Sequence, residues 1–448
     1  MTGFSRRLLR AASGDGELPR RAAEFIDSMG ICAHLSAVDY QSTSTVTNAM
    51  SYLGLTHIRT NSAINDTTYA LPTTNALIAN GVSVHFTTPQ PSGTGSGPSL
   101  AQIQSAIDSR ITYITTNNLA TSTDSIEPFN EYDGSGEPNW AAVLQSAQPY
   151  LASQAASNLS GVKVLGPALI GSSLLATASQ IQLASTGQPL KNYFDYGNLH
   201  SYFGGRQPES TYNDMTTNFA PASAPTDDTV FDTRLGLYSY YVAPNKPIIV
   251  TEMGYHNYAS STYTSLQATS IYIPRAFLET FRIGITRAYA YELLDEPSVA
   301  PGQEQHFGLF DSAANPKPSA DSLHNLTSLV TDNGATRFTF STTRLAYAIT
   351  GSQSALSDLR KVLLQKSNGV FWLALWQGVS VFDYINDIDI TPLPSNQTIN
   401  LAFRRTVNVT FFQDTAVDTV GAGTAMGNGT SFSVSVGPKV SLVRIEVV

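Results

Sequence analysis

The chain has little cysteine, little charge and no long apolar run, and each shortage narrows what it can be. Its one cysteine, Cys32, excludes an intramolecular disulfide and any multi-cysteine metal or iron–sulfur site, so the fold rests on packing. Only 13% of the 448 residues are charged, and the 25 Lys+Arg are spread along the chain rather than gathered into a stripe. With a net charge of -9, nucleic acid is not an expected partner. No run approaches the roughly 18 apolar residues that cross a bilayer, so a membrane is not expected either. The opening MTGFSRRLLRAASGDGELPRR is basic without an apolar stretch behind it and is not a complete signal peptide. Its SRRLL segment resembles the front of a twin-arginine signal, which would make it an export remnant.

What the chain does have is length and hydrophobicity. With 42% hydrophobic residues it can bury a large core, and it is long enough for two domains. From about Arg21 onward, short β-branched runs alternate with longer helix-like stretches, the pattern of repeated strand–helix units. Eight strands are predicted: Gly30–Leu35, Thr56–Thr60, Val82–Thr87, Ser125–Asn130, Val162–Gly166, Tyr196–His200, Pro247–Glu252 and Thr286–Tyr291. Helices are predicted between them, among others over Leu100–Thr116, Trp140–Ser157 and Tyr263–Arg282. Eight such repeats imply a (β/α)8 TIM barrel over residues 21–334, behind an N-terminal tail over 1–20.

After about Ala335 the texture changes to short alternating segments separated by Gly, Asn and Pro, with a last helix-like stretch near Ser354–Leu364. Residues 335–448 therefore read as a smaller all-β sandwich. Val370–Trp376 is apolar on both faces and is expected to be buried twice, with Trp372 and Trp376 as core rather than as a sugar-stacking platform.

In a TIM barrel the functional groups stand at the carboxyl ends of the strands. There the sequence places His34, Arg59, His85, Asn130, Glu131, His200, Tyr202, Glu252, Tyr255, Tyr291 and Glu292. Two segments carry most of the argument. In IEPFNEYDGSGEPNW (Ile126–Trp140) an apolar strand ends in Asn130-Glu131 and opens into a Gly-rich loop, and in IIVTEMGY (Ile248–Tyr255) three β-branched residues lead to Thr251 and Glu252. Carboxylates ending strands four and seven face each other across the barrel mouth, as cleavage of a glycosidic bond requires. Glu127 shares the strand parity of Glu131, but it sits inside the strand, where a buried ion pair is the better reading. A metal barrel is not expected, because no His-x-His follows the first strand and no Lys or Asp cluster completes a known ligand set; no cofactor is implied.

On these residues the region from about Arg21 to Leu329 resembles the clan A glycoside hydrolases, in which glutamates ending strands four and seven are acid/base and nucleophile. The C-terminal sandwich looks like the accessory domain of the clan's β-xylosidase-like, glucosylceramidase-like and glucuronidase-like branches. The resemblance implies a retaining enzyme acting on a carbohydrate, with Glu131 as acid/base and Glu252 as nucleophile. By the same resemblance Asn130 would hold a sugar 2-hydroxyl, Tyr202 would hydrogen-bond Glu252, and Arg59 would keep Glu252 ionised. His34, His85, His200, Tyr255, Tyr291 and Glu292 are further substrate-binding candidates, with His34 and His85 reading equally as barrel-core histidines and Glu292 equally as a salt-bridged rim residue.

This sequence departs from the clan pattern in reading Asn130-Glu131-Tyr132 for Asn-Glu-Pro and Tyr291-Glu292 where a tryptophan often ends strand eight. A β-linked poly- or oligosaccharide substrate and a secreted or periplasmic bacterial location are the expectations. The alternatives are an inactive carbohydrate-binding protein and a transglycosylase using the same glutamates. The loops Thr88–Pro98 and Phe203–Thr226 are expected to set specificity. Asn198 and Arg206 stand near enough to the sixth strand to reach the cleft, with a solvent-exposed structural role an equal reading for Arg206 in the loop Gly204–Glu209.

Overall fold

The structure is a computed structural model that describes residues 16–92, 97–170, 178–211, 234–260, 262–299, 301–414 and 423–448. Eight parallel strands form one curled sheet: β1 (Met29–Cys32), β2 (His57–Thr60), β3 (Ser83–Thr88), β4 (Thr123–Phe129), β5 (Lys163–Val164), β6 (Gly197–His200), β7 (Ile248–Met253) and β8 (Arg287–Ala290). Neighbours in sequence pair in space, β1 pairs with β8, and a parallel bridge from Leu165 to Tyr196 joins the β5 and β6 ends, so the sheet closes into the expected barrel.

Local chemistry explains the helices around it. The helix Leu100–Thr116 starts at a capping box in which Ser99 accepts from the Gln102 backbone and Gln102 from that of Ser99, and it buries Ile103, Ile107, Ile111 and Ile114 against the sheet. The helix Leu266–Ile283 is capped by Ser265 and stopped at Gly284, whose φ of 96° lies in the left-handed region that glycine enters freely.

The C-terminal unit comprises β9 (Tyr347–Gly351), β10 (Leu359–Gln365), β11 (Phe371–Gln377), β12 (Gln397–Phe412), β13 (Thr424–Val436) and β14 (Ser441–Val447). The 16-residue β12 links the two ends of this unit's connected strands. Its first half pairs with β9, its second half with β14, and the register slips between Ala402 and Val407. The helix-like stretch near Ser354–Leu364 is corrected. Only Gln353–Ser357 is helical, and Leu359–Gln365 is a strand because its apolar run pairs residue for residue with Phe371–Gln377. Residues ahead of the barrel also join this unit: Arg20–Arg21 pairs in parallel with Leu364–Gln365, and Glu17 accepts from Lys361 and Tyr347.

β11 is buried on both faces, as its sequence indicates. Phe371, Leu373 and Leu375 enter the sandwich core, whereas Trp372, Ala374 and Trp376 belong to the barrel's core. Both tryptophans are thus packing residues. At their edge Arg275, wholly buried, donates from Nε to Glu209 Oε1 at 2.8 Å and from Nη1 to the Val379 carbonyl at 3.0 Å, and Trp376 Nε1 reaches the same Glu209 oxygen at 2.6 Å. One ion pair thereby fastens the loop after β6, a barrel helix and the sandwich. Replacing Arg275 with Met leaves the Glu209 charge buried and unpaired, so Arg275→Met is expected to lose about 3–5 kcal/mol of stability, measured by chemical denaturation.

Candidate active site

The site is built on the arginine at the end of β2. Arg59 is buried and donates to three oxygen acceptors, Nη1 to Glu252 Oε1 at 2.7 Å, Nε to Glu127 Oε1 at 2.9 Å and Nη2 to Asn130 Oδ1 at 2.5 Å, with the Cys32 sulfur a weaker fourth at 3.9 Å. Side chains from β2, β4 and β7 are thus brought to one guanidinium. The pairing register of β7 with β8 slips between Val250 and Met253, and with it the strict alternation of faces ends. Thr251 and Glu252, though adjacent, both face inward, Thr251 donating to Asn198 Oδ1 and Glu252 taking Arg59 and Tyr202.

Glu131 is placed by a backbone turn. Its φ and ψ of 44° and 43° are left-handed, a conformation costing roughly 1–2 kcal/mol outside glycine, and the chain turns there directly after β4. Glu131 Oε1 lies 2.7 Å from His200 Nδ1, which is itself 3.4 Å from Glu252 Oε2. The ligand-type atoms of Glu131, His200 and Glu252 all fall within 4.8 Å of one another. The two carboxylates therefore face each other at short range, with a buried imidazole between them.

Electrostatics separates the groups. Burial works against the charged form of Glu252, yet His200, Arg59 and the hydrogen bond from Tyr202 (2.6 Å) outweigh it, so its carboxyl sits below the ordinary range. Burial likewise disfavours the His200 cation, but Glu252 and Glu131 more than compensate and raise its pKa. Glu127 is driven down to about 2, burial being overcome by Arg59 and His85. With Asn198 and Arg59 on its two oxygens, Glu127 is the buried ion-pair member expected of it, and Glu131 is the one with solvent access, its side chain 21% exposed.

The other candidates divide. His34, Tyr291 and Glu292 gather on the β1–β8 side: His34 Nδ1 is 3.4 Å from Glu292 Oε2, and the rings of Tyr291 and His34 meet edge to face. Two candidates do not reach the cleft opening. His85 is wholly buried below Glu127 and bonds Ser125 at 2.7 Å, so it is corrected from substrate contact to a barrel-interior group. Tyr255 is 5% exposed, stacks on Phe203 and donates to the Arg206 carbonyl at 2.8 Å, so its ring and hydroxyl hold the loop after β6. Asn198 supports Glu127 from inside, and the Arg206 guanidinium lies over the Tyr384 ring of the C-terminal unit. Of the loops expected to set specificity, residues 93–96 and 212–226 lie outside the described residues.

Sequence reasoning missed Glu296, Glu304 and Tyr40. Glu296 Oε1 lies 2.9 Å from His34 Nδ1, Glu304 accepts from Tyr291 at 3.3 Å, and Tyr40 donates to Glu292 at 3.2 Å. The cluster Glu292-Leu293-Leu294-Asp295-Glu296 just past β8 was the available signal. Among the described residues, two groups have metal-ligating spacing, Glu131–His200–Glu252 and His34–Glu292–Glu296; the first is already engaged by Arg59 and Tyr202.

The hydrogen bond from Tyr202 helps to hold Glu252 ionised, so removing it raises the carboxyl's pKa. Tyr202→Phe is expected to shift the Glu252 titration, followed by carboxyl carbon NMR, upward by about one pH unit, equivalent to roughly 1.4 kcal/mol. An unchanged titration would show that Arg59 and His200 suffice.

Neither the protein-family profiles nor the curated proteins contain a match to this chain. Solved structures match over nearly all of it. A glucosidase from Croceicoccus marinus gives a TM-score of 0.59 at 12% identity, covering 97% of this chain and 98% of its own. A family 39 glycoside hydrolase from Bacteroides cellulosilyticus gives 0.57 at 14%, covering 96% and 83%. A monomeric beta-xylosidase from Caulobacter crescentus gives 0.56 at 14%, covering 97% and 98%. At such identities the likeness is one of fold, and the fold is the one these family 39 glycoside hydrolases share.

Proposed function

We propose that this chain is a retaining glycoside hydrolase acting on a β-linked poly- or oligosaccharide. The observation that carries the reading is the approach of Glu131 and Glu252 across the barrel mouth, with His200 between them and ligand-type atoms within 4.8 Å. Retaining enzymes hold their two carboxyl groups about 5–5.5 Å apart, whereas inverting enzymes need about 6.5–9.5 Å to admit a water molecule. The structural neighbours named as a glucosidase and as beta-xylosidases support the substrate class.

Glu252, held ionised by Arg59 and Tyr202, attacks the anomeric carbon as Glu131 passes a proton to the departing glycosidic oxygen. The glycosyl ester on Glu252 is then hydrolysed by water whose proton Glu131 takes, returning both groups to their starting states. Asn130, fixed through its Oδ1 by Arg59, keeps its amide Nδ2 for a sugar hydroxyl, and Tyr291 stands at the cleft wall as a ring for the sugar to rest on. His200, in contact with both carboxylates, keeps their geometry while the proton moves.

The test is product release from a panel of aryl glycosides and polysaccharides. Wild type is expected to turn over at least one with the anomeric configuration retained in the first-formed sugar, followed by proton NMR. Glu252→Gln and Glu131→Gln are each expected to lose at least about a thousand-fold in kcat on a natural oligosaccharide with the thermal unfolding midpoint little changed. Binding to sugars without any turnover would favour the inactive carbohydrate-binding reading, and transfer to an added sugar acceptor in place of water would mark a transglycosylase.

A further inference from the structure

Beneath the paired glutamates the barrel interior holds a second line of polar groups that the reaction does not touch. β3 and β4 pair Val84 with Thr123 but His85 with Ser125, so the register slips by one residue and Asp124 is left over. Such a bulge suspends the alternation of faces. Asp124 and Ser125, adjacent in sequence, therefore bond through their side chains, Ser125 Oγ donating to Asp124 Oδ1 at 2.6 Å. Asp124 is itself fixed at the amino-terminal ends of the strands. Its Oδ2 takes Arg287 Nη1 at 2.6 Å and lies 2.9 Å from His57 Nδ1, while His57 Nε2 lies 2.8 Å from Asp27 Oδ1. Burial disfavours the charged form of Asp124, but the hydrogen bond from His57 and the charge of Arg287 outweigh it and hold the carboxyl well below its ordinary range.

This arrangement fixes where the protons of His85 sit. An ionised carboxylate only accepts, and a serine hydroxyl has one proton to give. Ser125 gives that proton to Asp124, so toward His85 Nδ1, 2.7 Å away, it accepts, and Nδ1 carries a proton. The other ring nitrogen, Nε2, is buried without a hydrogen-bonding partner and faces the Glu127 Oε2 oxygen at 3.4 Å. A bare lone pair there would oppose an ionised oxygen in a closed interior, whereas a proton makes the contact attractive. Around the ring stand Asp124 and Glu127 from β4, Tyr289 from β8 at 5.9 Å between ring centroids, and, beyond Glu127, Arg59 from β2. His85 is among the groups that keep both of those carboxyls ionised.

We propose that Ser125 and Asp124 are positioning residues for the nucleophile, holding His85 as a second buried cation so that Arg59 stays committed to Glu252. Neither touches substrate. Arg59 serves Glu127 and Glu252 together, so charge that His85 brings to Glu127 is charge that Arg59 need not supply there. Without the Ser125 oxygen, Nδ1 has no acceptor and the charge of the ring is no longer held. Glu127 then draws more of Arg59, and Glu252 is left less well compensated. The influence runs from the floor of the barrel to its mouth through Asp124, Ser125, His85, Glu127 and Arg59 in turn. The inference takes the role of Glu252 from the proposed function, but its direct readout does not depend on turnover.

The experiment is carboxyl carbon NMR titration of Glu252 in the full chain, comparing wild type with Ser125→Ala, Ser125→Thr and His85→Gln. Ser125→Ala is expected to raise the Glu252 midpoint by about half a pH unit, and Ser125→Thr, which keeps the hydroxyl, to return it to the wild-type value. His85→Gln keeps a donor beside Glu127 but removes the charge. It is expected to raise the midpoint at least as far, and it carries the test if Ser125→Thr fails to fold. On any substrate that is turned over, the acidic limb of kcat/KM moves up in pH by the same amount, because Glu252 must be ionised to attack. A Glu252 midpoint unmoved in folded Ser125→Ala or in folded His85→Gln overturns the proposal, even where thermal unfolding comes earlier, because the role would then be one of packing. So does a shift that folded Ser125→Thr leaves in place. Absence of turnover on every glycoside is a separate result that sinks the hydrolase reading and leaves the order of these midpoints standing.

Discussion

One guanidinium holds the centre of this molecule. Arg59 binds Glu127 and Glu252 together and fixes Asn130, so three strands of the barrel converge on a single buried cation. Two carboxylates cannot stay ionised in a closed barrel without compensation, and one arginine does not neutralise both. The remainder comes from histidine: His85 lies 3.4 Å from Glu127, and His200 lies 3.4 Å from Glu252. Function and stability are therefore coupled here, because the charge that keeps Glu252 ionised also makes burial of Glu127 tolerable.

That coupling explains a division of labour among acids that look alike in sequence. Glu127 has both oxygens bonded within the barrel, Glu252 has one oxygen on Arg59 and one on Tyr202, and Glu131 touches only His200 among the site residues. Solvation and hydrogen bonding, not residue type, separate these three carboxyl groups. Glu292 completes the series as a carboxyl pushed well above its ordinary range, with one buried oxygen that has no hydrogen-bonding partner.

The barrel was legible in sequence because its signal is local. Most of the eight strands carry β-branched residues between turn residues, and all eight predicted segments overlap observed strands. The paired glutamates were legible because strand ends are readable and the topology forces them to one rim. What escaped had no local mark. Leu359–Gln365 has the apolar content of a short helix and becomes a strand only through its partner Phe371–Gln377. His85 lies at the same height as Ser125 on the next strand, and no periodicity tells a position that opens on the cleft from one that faces the barrel's filled interior. Glu296 and Glu304 lie past the strand end, where loop geometry alone brings them to His34 and Tyr291.

The C-terminal unit matters to the cleft for a reason visible in its contacts. β11 buries Trp372 and Trp376 in the barrel's own core, so the two units share one hydrophobic interior rather than being tethered by a linker. From that platform the segment after β11 reaches the rim. Tyr384 lies under Arg206, Phe382 meets Tyr263, and Asp389 accepts from Ser265 at the start of the helix after β7. Tyr255, three residues beyond Glu252, closes the circuit by donating to the Arg206 carbonyl. The loop after β6, which carries Tyr202 and follows directly on His200, is thus held from both units, and the positions of two groups contacting Glu252 depend on packing that no barrel residue supplies alone.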